Sequence, residues 1–450
     1  MTLIAEELAE WCVSRQQYNQ LVLITMMNEG EGIISVLDYF LFLAVLSIWG
    51  ILVVNVILTI AGYVNYLQKV RQPKPQLPTQ VPFVSIMVPA HNEGIVIVKT
   101  LQALLNFDYP KDRYEIIIIN DNSDDNSAEL LAEVQSLYPH RNLKVINTDK
   151  TNGGKGKSNA LNIGLKQARG SLISIYDADN TPQRSALRYL VAELMQDSQL
   201  AAVIGKFRTR NKNASLLTRF INIETLSFQW MAQAGREKLF KLCTIPGTNY
   251  VIRRDILEEI GGWDVKALAE DTEISFRVYR MGYRIRFQPL AVTWEQEPQT
   301  LDVWFHQRTR WVKGNIYVIL KNARLLFTKS GRPIRFDLLY FLAIYFLLMT
   351  SLILSDSMFV LSVAGIAHSN LVGFSNALWV MAVITFVIST FVTITTEKGE
   401  MTLANLIIII FMYVVYSQMW LAVAAHGMVG YVREQVFHQQ AKWYKTKRYQ

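Results

Sequence analysis

The sequence contains little cysteine, and it begins without the features of a secretory signal peptide. Cys12 and Cys243 are the only cysteines in 450 residues, too few and too far apart for a disulfide framework or a zinc site. Glu6, Glu7 and Glu10 stand where a signal peptide would carry basic residues. We therefore expect neither a disulfide-stabilised fold nor a cleaved leader.

Nor does the charge distribution favour a nucleic-acid-binding protein. The net charge is +8, but the excess collects beside the apolar segments and at the C-terminus, which is typical of a cytoplasmic membrane face. Hydrophobic residues make up 51% of the chain and the mean hydropathy is +0.17, although the middle of the chain is polar. This combination indicates a water-soluble domain carried between membrane segments.

One long apolar run precedes the polar middle. Tyr39–Tyr66 exceeds the roughly 20 residues that a helix needs to cross a bilayer. Acidic residues precede this run, and Lys69 and Arg71 follow it, which places the N-terminus outside and the next domain in the cytoplasm. Residues 1–35 read as an amphipathic segment to which we assign no function.

Three more apolar runs follow the polar middle. They are Phe336–Ile366, Phe374–Ile394 and Leu403–Val429. The first is interrupted by Ser355-Asp356-Ser357 and is either one tilted helix or part of a tight hairpin. Because the basic tail, residues 431–450, is expected in the cytoplasm, charge bias favours an even number of crossings and hence the hairpin. We predict three or four crossings between residues 335 and 430.

The polar middle alternates short apolar runs with amphipathic stretches. The predicted strands are Val84–Val88, Glu115–Ile119, Leu143–Asn147, Leu172–Tyr176 and Ala202–Phe207, and the predicted helices are Ile95–Leu105, Ala128–Leu137 and Lys157–Ala168. Continuous apolar strands separated by helices indicate a mainly parallel sheet, whose ligands bind at the carboxyl ends of the strands. Polar clusters that contain Glu93, Asp121 and Asp177 fall at those ends.

The most informative stretch is Ile173–Asn180, where a β-branched run ends in Asp177 and Asp179. Because side chains alternate along a strand, both carboxylates point the same way at its end. Two convergent carboxylates suit a hard divalent cation, which can also hold a diphosphate. The alternative is a strand that ends in a solvated turn, and this stretch alone leaves both open.

The glycine-rich stretch Thr151–Lys157 opens a predicted helix. Glycines let backbone N–H groups approach an anion, and the helix N-terminus adds partial positive charge. Lys155 and Lys157 could neutralise a diphosphate there. The spacing is not that of a Walker A loop, and a flexible basic turn is the alternative.

Three later stretches are less specific. Pro246–Tyr250 contains a glycine that would let an extended ligand approach the backbone, or it forms an ordinary turn. Asp271, with Thr272, either caps a helix or takes a proton from an attacking hydroxyl. The amphipathic segment Leu301–Phe327 is predicted to lie at a membrane interface, and Gln307–Trp311 within it is unusual for plain amphipathicity.

In this order, the motifs resemble those of the processive family-2 membrane glycosyltransferases, the poly-N-acetylglucosamine, hyaluronan, chitin and cellulose synthases. The resemblance covers residues 80–320 closely and the membrane segments in outline. It implies an α/β fold in which a cytosolic GT-A-type domain, residues 68–300, has a mainly parallel sheet. This domain would be inserted between an N-terminal transmembrane helix, residues 36–67, and C-terminal ones, with interface helices at residues 301–334.

The resemblance also implies roles for individual residues. Asp271 of Ala-Glu-Asp matches the general base. The implied donor-binding residues are Glu93, Asp121, Lys155, Asp177, Asp179, Gln307, Arg310 and Trp311, of which Asp177 and Asp179 also bind Mg²⁺ or Mn²⁺. The implied acceptor-binding residues are Trp311, Glu270, Gly247 and Thr248. The single clear N-terminal span departs from many relatives, and no β-barrel sensor of cyclic dinucleotides is expected after the last span.

The implied function is the polymerisation of a UDP-sugar, with inversion, into an exopolysaccharide that the enzyme exports through its own membrane channel. UDP-N-acetylglucosamine is the first choice of donor and UDP-glucose the second. The expected partners are the growing polysaccharide and the lipid bilayer of the plasma membrane, and a small accessory membrane subunit is a further candidate. Nucleic acid is not an expected partner. The alternatives are a single-addition transferase acting on a polyprenyl phosphate or glycolipid, and a transporter with a soluble insert.

Overall fold

A computed structural model describes residues 38–366 and 372–437 of the chain. Our expectations for residues 1–35 and for most of the basic tail lie outside the described residues. Of the described chain, residues 53–345 and 385–437 form one compact unit. Residues 38–52, 346–366 and 372–384 form a second, smaller unit, which is helical.

The larger unit is built on a sheet that has eight strands within the described residues. They are β1 (Val84–Ala90), β2 (Tyr114–Asp121), β3 (Leu143–Thr148), β4 (Leu172–Ile175), β5 (Thr181–Pro182), β6 (Leu200–Thr209), β7 (Tyr250–Arg253) and β8 (Arg284–Glu295). Their order is β3-β2-β1-β4-β7-β6-β8-β5. The β1–β2, β2–β3, β1–β4 and β6–β8 pairs are parallel, whereas β7 is antiparallel to both its neighbours and β5 is antiparallel to β8. The expected α/β fold with a mostly parallel sheet is confirmed.

Helices connect the strands and continue beyond the sheet. They are α1 (Asp38–Arg71), α2 (Ile97–Leu105), α3 (Ser127–Leu137), α4 (Lys157–Leu165), α5 (Ala186–Leu194), α6 (Leu216–Ser227), α7 (Ala234–Phe240), α8 (Arg254–Glu259), α9 (Glu270–Arg280), α10 (Leu301–Asn322), α11 (Arg335–Leu342), α12 (Met349–Val363), α13 (Val372–Thr395), α14 (Leu403–Phe411) and α15 (Ser417–Val436). The short turns between strands and helices keep the strand ends close to the helix N-termini.

The apolar runs form strands because both faces of the sheet are covered by helices. Successive side chains of a strand point to opposite faces, so Met87 and Ile117 pack in one hydrophobic core while Ile86 and Ile118 pack in another. All eight residues of β2 are buried. A parallel sheet buried on both faces requires such continuous apolar strands, which explains why the sequence pattern located them within two residues.

One four-residue strand in the middle of the sheet, β7, was not predicted from the sequence. The strand expected at Ala202–Phe207 is β6, and it does not pair with β4. The antiparallel strand β7 is inserted between them, with Tyr250 opposite both Ile175 and Ile204. The pattern of short apolar runs did not reveal β7 because it has only four residues and follows a turn.

Three helices of the described chain are long and apolar enough to cross a membrane. They are Asp38–Arg71, Arg332–Met358 and Leu403–Val436. The hairpin that charge bias favoured within Phe336–Ile366 is wrong, because α11 and α12 follow one another with only a π-helical turn between them, and α12 continues through Ser355-Asp356-Ser357. No glycine or proline stands there to end the helix.

The predicted interface segment is helical as expected, as α10 followed by a 3-10 turn, Ala323–Phe327. Trp304 and Arg308 of α10 are each 1% exposed, which is more burial than a helix lying on lipid alone would have. α10 packs closely along α15, since a Cβ added at Gly427 would come within 2.6 Å of Val312. Whether α10 lies at a membrane interface stays a prediction.

Candidate active site

The parallel strands β1, β2 and β4 end at one edge of the sheet, and an acidic residue ends or follows each of them. Glu93 follows β1, and its N–H donates to Ser127 Oγ over 3.0 Å. Asp121 ends β2, and its carbonyl oxygen lies 2.7 Å from His91 Nδ1 in the β1 loop. Asp177 follows β4. This edge is where open α/β sheets bind ligands.

Asp121 holds the glycine-rich loop that leads into α4. Its Oδ1 accepts hydrogen bonds from Thr148 Oγ1 over 2.8 Å and from the Gly154 N–H over 2.9 Å. A Cβ at Gly153 would lie 2.6 Å from Asp121 Oδ1, closer than nonbonded carbon and oxygen can approach. Gly154 and Gly156 have positive φ angles of 69° and 94°, which glycine adopts at no steric cost.

The lysine that reaches the acidic edge is Lys157, whereas the predicted donor-binding residue was Lys155. Lys155 is exposed, and its Nζ donates to the carbonyl oxygen of Thr151 in its own loop over 3.0 Å. Lys157 Nζ lies 2.7 Å from Asp177 Oδ1 and donates to the Gly247 carbonyl oxygen over 2.8 Å. Since Lys157 is the first residue of α4, its side chain turns back toward the strand ends.

Lys157 stands among three carboxylates, one after β4 and two at the start of α9. Its Nζ is 3.4 Å from Glu270 Oε1 as well as 2.7 Å from Asp177. Burial alone would lower the pKa of Lys157, but the carboxylates of Asp177, Glu270 and Asp271 outweigh it and raise that pKa. Lys157 is therefore charged at neutral pH. The contacts of its ammonium group join the residue after β4, the turn at Gly247 and the start of α9.

Asp271 occupies the first turn of α9, beside this cluster. Its Oδ1 accepts from the N–H of Thr272 over 2.7 Å, but the N-cap residue of α9 is Ala269 and no side chain caps the helix, so the helix-capping interpretation of Asp271 is wrong. Burial and the neighbouring Glu270 carboxylate raise the pKa of Asp271 to about 7. Lys157 and Arg310 act in the opposite direction and limit the rise. A carboxyl group that titrates near neutral pH is suited to general base catalysis.

Gly247 and Thr248 lie between Asp177 and Asp271. Gly247 has φ +83°, and a Cβ there would lie 2.9 Å from Asp271 Oδ2. Thr248 Oγ1 accepts from the Asp177 N–H over 3.0 Å and donates to Asn180 Oδ1 over 2.6 Å. Thr248 is 2% exposed, so in this structure it supports the Asp177 turn from behind.

Asp179 lies deeper than Asp177. It is 3% exposed, and its Oδ2 accepts from the Gln296 N–H over 3.2 Å. About a third of the Asp177 side chain is exposed, and it already holds the ammonium group of Lys157. No group of three or more metal-binding side chains occurs among the residues the structure describes. Mg²⁺ needs only one or two carboxylates when substrate phosphates supply other ligands, so the donor set fits a divalent cation.

The Gln-x-x-Arg-Trp sequence, Gln307–Trp311, lies on α10. Arg310 is close enough to Asp271 to lower its pKa. Gln307 Oε1 accepts from Arg308 Nη1 over 3.0 Å, and the Arg308 guanidinium lies 3.9 Å from the centre of the Trp311 ring. Gln307 and Trp311 are thus linked through Arg308, which was not among the predicted residues.

Glu224 of α6 also escaped the sequence analysis, although it joins α6 to α10 and α15. Its carboxylate accepts from Arg308 Nη2 over 2.7 Å, from Tyr416 OH over 2.9 Å and from Trp420 Nε1 over 2.8 Å. Arg308 itself could have been suspected, because a cation inside an otherwise apolar helix face needs a partner. Nothing local in the sequence marks Glu224.

The acidic strand ends, the basic helix start and the neighbouring α10 define an α/β enzyme of the GT-A type. Over 89% of this chain, the fold matches a mannosyltransferase, PcManGT from Pyrobaculum calidifontis, solved in complex with GDP-Man and Mn²⁺. The match covers 99% of that chain at a TM-score of 0.64 and 20% sequence identity. At that identity the likeness concerns the fold alone.

The chain belongs to the family-2 glycosyltransferases. The sequence model described as "Glycosyltransferase like family 2" matches residues 81–314. A probable glycosyltransferase of Bacillus subtilis, YdaM, is 46% identical over 91% of this chain and 97% of its own length. The poly-beta-1,6-N-acetyl-D-glucosamine synthase of Staphylococcus epidermidis is 31% identical over 54% of this chain, which spans 57% of that protein. The protein is therefore an enzyme, a glycosyltransferase.

Proposed function

We propose that this glycosyltransferase polymerises a UDP-sugar into a β-linked polysaccharide and exports the product across the membrane. UDP-N-acetylglucosamine is the first choice of donor and UDP-glucose the second. The likeness to poly-beta-1,6-N-acetyl-D-glucosamine synthases, 31% identical in Staphylococcus epidermidis and 34% in Staphylococcus aureus, supports the first choice. The apolar helices of the described chain support a multi-pass protein of the plasma membrane with its α/β domain in the cytoplasm.

One observation carries the proposal: Asp271 lies beside the Lys157–Asp177 pair, where burial and the Glu270 carboxylate raise its pKa to about 7. An acceptor hydroxyl that attacks the anomeric carbon forms the new C–O bond as the bond to UDP breaks. The hydroxyl is a poor acid, so a carboxylate must accept its proton, and Asp271 has a suitable pKa. Attack opposite the leaving group inverts an α-linked donor into a β-linked product.

The remaining residues of the edge serve the donor. We assign Glu93 and Asp121 to the nucleoside and Lys157 with Arg310 to the diphosphate, where their charges would stabilise the leaving UDP. Asp177 and Asp179 would hold Mg²⁺ or Mn²⁺, which neutralises diphosphate charge when it is bound. Glu270 and Trp311 remain our candidates for contacts with the acceptor sugar.

Processive synthesis is supported by the way α10 is packed. The Gln-x-x-Arg-Trp residues lie on a helix that shares the Arg308–Glu224–Trp420 contacts with α6 and the apolar helix α15. Aromatic rings such as Trp311, which is 38% exposed, offer flat faces for sugars. A single-addition transferase needs no such aromatic and charged path between its catalytic residues and its apolar helices.

The test incubates the purified chain, in nanodiscs, with single UDP-sugars and measures released UDP and product length. We expect UDP release with UDP-N-acetylglucosamine in the presence of Mg²⁺ or Mn²⁺, together with products of many sugars. Products of one added sugar on a polyprenyl phosphate or glycolipid would favour the alternative function. Absence of UDP release from every UDP-sugar would overturn the donor class.

A further inference from the structure

A cavity of about 590 Å³ lies at the end of α1, formed by residues of the larger unit that the reaction does not use. Its walls come from the last turns of α1 and α7, from the linker after α1, and from α5 and β8. Most of the side chains that line it are charged or amides. Sites for drug-like molecules are mostly apolar, so these walls suit a small polar or charged ligand.

Cations outnumber carboxylates in the cavity. Five of its side chains are cationic, namely Lys69, Lys74, Lys238, Lys241 and Arg286, and two are carboxylates, Glu193 and Glu237. Glu193 is neutralised within the protein, since Lys69 lies 3.3 Å and Arg286 3.1 Å from its Oε1.

The second carboxylate balances little of the remaining charge. Burial raises the pKa of Glu237, and its Oε2 accepts from Asn65 Nδ2 over 3.4 Å and from the Phe287 N–H over 3.3 Å. Among the described residues, no carboxylate lies within 4.0 Å of the Nζ of Lys74 or Lys241. The cavity therefore retains an excess of positive charge that an anion would compensate.

Lys241 stands at a backbone position that favours glycine. It ends α7 with φ 60° and ψ 31°, a left-handed conformation, and the Leu242 N–H donates to the Arg236 carbonyl oxygen as in a Schellman motif. Glycine is the usual residue there because a Cβ is strained in this conformation. A lysine at this position contributes nothing to the backbone that glycine would not provide, so its ammonium group in the cavity is the feature that needs explanation.

Exposed apolar side chains lie on the same helices as the lysines of the cavity. Val70 in the last turn of α1 is 65% exposed, and Leu239 and Phe240 in the last turn of α7 are 45% and 43% exposed. α1 is long and apolar enough to cross a membrane. Lysines interleaved with exposed apolar side chains at the end of such a helix are typical of the depth where lipid phosphates lie.

We propose that this cavity is a binding site for a phosphate group, and that the flanking apolar side chains favour an anionic phospholipid headgroup as its source. Lys74 and Lys241 contact the phosphate, while Arg286 and Lys69 remain engaged by Glu193. The lipid would hold the last turn of α1 against α7 and β8. The site is separate from the glycosyl-transfer residues, so the proposal stands or falls independently of the proposed function.

The test uses the full chain in nanodiscs of phosphatidylcholine with a small fraction of labelled phosphatidylglycerol. The wild type should retain phosphatidylglycerol in preference to phosphatidylcholine. Lys74→Gln and Lys241→Gly should each weaken that retention about fivefold, since a lysine near an anionic lipid surface contributes on this order. Because glycine suits the left-handed backbone, K241G should unfold at the same or a higher temperature than the wild type, which separates lost binding from misfolding.

Lys166→Gln is the matched control, because Lys166 is an exposed lysine at the end of α4 with ordinary right-handed backbone angles. Equal losses in K166Q and K241G, or full retention in the K74Q/K241G double variant, would overturn the site. A second arm adds glycerol phosphate and inorganic phosphate to phosphatidylcholine nanodiscs and measures the unfolding temperature. Stabilisation of the wild type but not the double variant in that arm, without lipid retention, would keep the phosphate chemistry and overturn the lipid source.

Discussion

Two charge clusters of the larger unit consist of the same kinds of side chain, carboxylates with lysine or arginine. Carboxylates are in excess in one cluster, and cations are in excess in the other. At the active site, three carboxylates, those of Asp177, Glu270 and Asp271, surround Lys157. The second cluster lies at the end of β6. There Arg208 donates to Glu397 and Glu400 over 2.6 Å each, and Lys206 and Lys212 bind the same two carboxylates.

The two clusters shift the pKa values of their carboxyl groups in opposite directions. The cations around Glu400 outweigh its burial and lower its pKa, whereas burial and a like charge raise the pKa of Asp271 to about 7. Amides complete the second cluster, since Asn222 Nδ2 donates to Glu400 Oε2 over 3.0 Å. A satisfied cluster stabilises the fold, and one with excess negative charge is suited to bind a cation or accept a proton.

The largest expected effect comes from removing the carboxylate that accepts the proton. Asp271→Asn should lower kcat about a thousandfold, within the range for loss of a general base, measured by UDP release. The wild-type rate should fall about tenfold per pH unit below about pH 7, where Asp271 becomes protonated. E400Q is the control, because Glu400 lies outside the reaction, and its rate per folded molecule should match that of the wild type.

The D271N variant should not lose stability. A carboxyl group whose pKa is raised on folding destabilises the folded state once the pH exceeds its usual value, and this penalty is complete above the raised pKa. D271N should therefore unfold at the same or a higher temperature than the wild type at pH 8, and equally at pH 3. A lower unfolding temperature at pH 8 would show that Asp271 belongs to a satisfied cluster after all.

The next effect is on stability alone. Glu400→Gln leaves Arg208 and Lys212 without their shared carboxylate, and breaking a buried ion pair costs about 3 kcal/mol of the free energy of unfolding. Because the folded-state pKa of Glu400 is lowered, this contribution is present above the usual carboxyl range and is lost as the pH falls below about 4. Denaturant unfolding at pH 7 and pH 3 measures both.

The control for Glu400 is a carboxylate in an exposed pair. Glu258 is half exposed and binds Arg254 one turn away on α8. E258Q should change the free energy of unfolding by about 0.5 kcal/mol or less. Equal losses in E400Q and E258Q would mean that the second cluster contributes no more than a surface ion pair.

Much of the sheet could be predicted from the sequence, because local pattern determines it. The β1, β2 and β4 runs are mostly apolar and end at or shortly before acidic residues, and parallel strands place those ends at one edge. The position of Asp271 beside Asp177 depends instead on the turn at Gly247 and on β7, whose pairing with β4 joins residues 75 to 81 positions apart. No local pattern encodes that pairing.

The second charge cluster was beyond local analysis for the same reason. Glu397 and Glu400 lie between two apolar helices and meet Arg208 across about 190 residues. The hairpin that charge bias favoured in Phe336–Ile366 is wrong because α12 continues through Ser355-Asp356-Ser357, where no glycine or proline ends the helix. The composition of a segment shows whether it is apolar. Which loops contact the α/β domain depends on side-chain pairs between residues far apart in the sequence, and composition does not show those pairs.

The smallest expected effect distinguishes the two lysines of the glycine-rich loop, which the sequence could not. Lys155→Met should leave kcat/KM within about twofold, because its ammonium group binds the Thr151 carbonyl oxygen and is exposed. Lys157→Met, the matched comparison, should lower kcat/KM at least tenfold, because Lys157 pairs with Asp177 in the cleft. It should also move the acidic limb of the pH–rate profile to higher pH, because the Lys157 charge holds down the pKa of Asp271. A tenfold loss of kcat/KM in K155M, together with an unchanged pH–rate profile in K157M, would contradict this assignment. It would indicate that Lys155 binds the diphosphate.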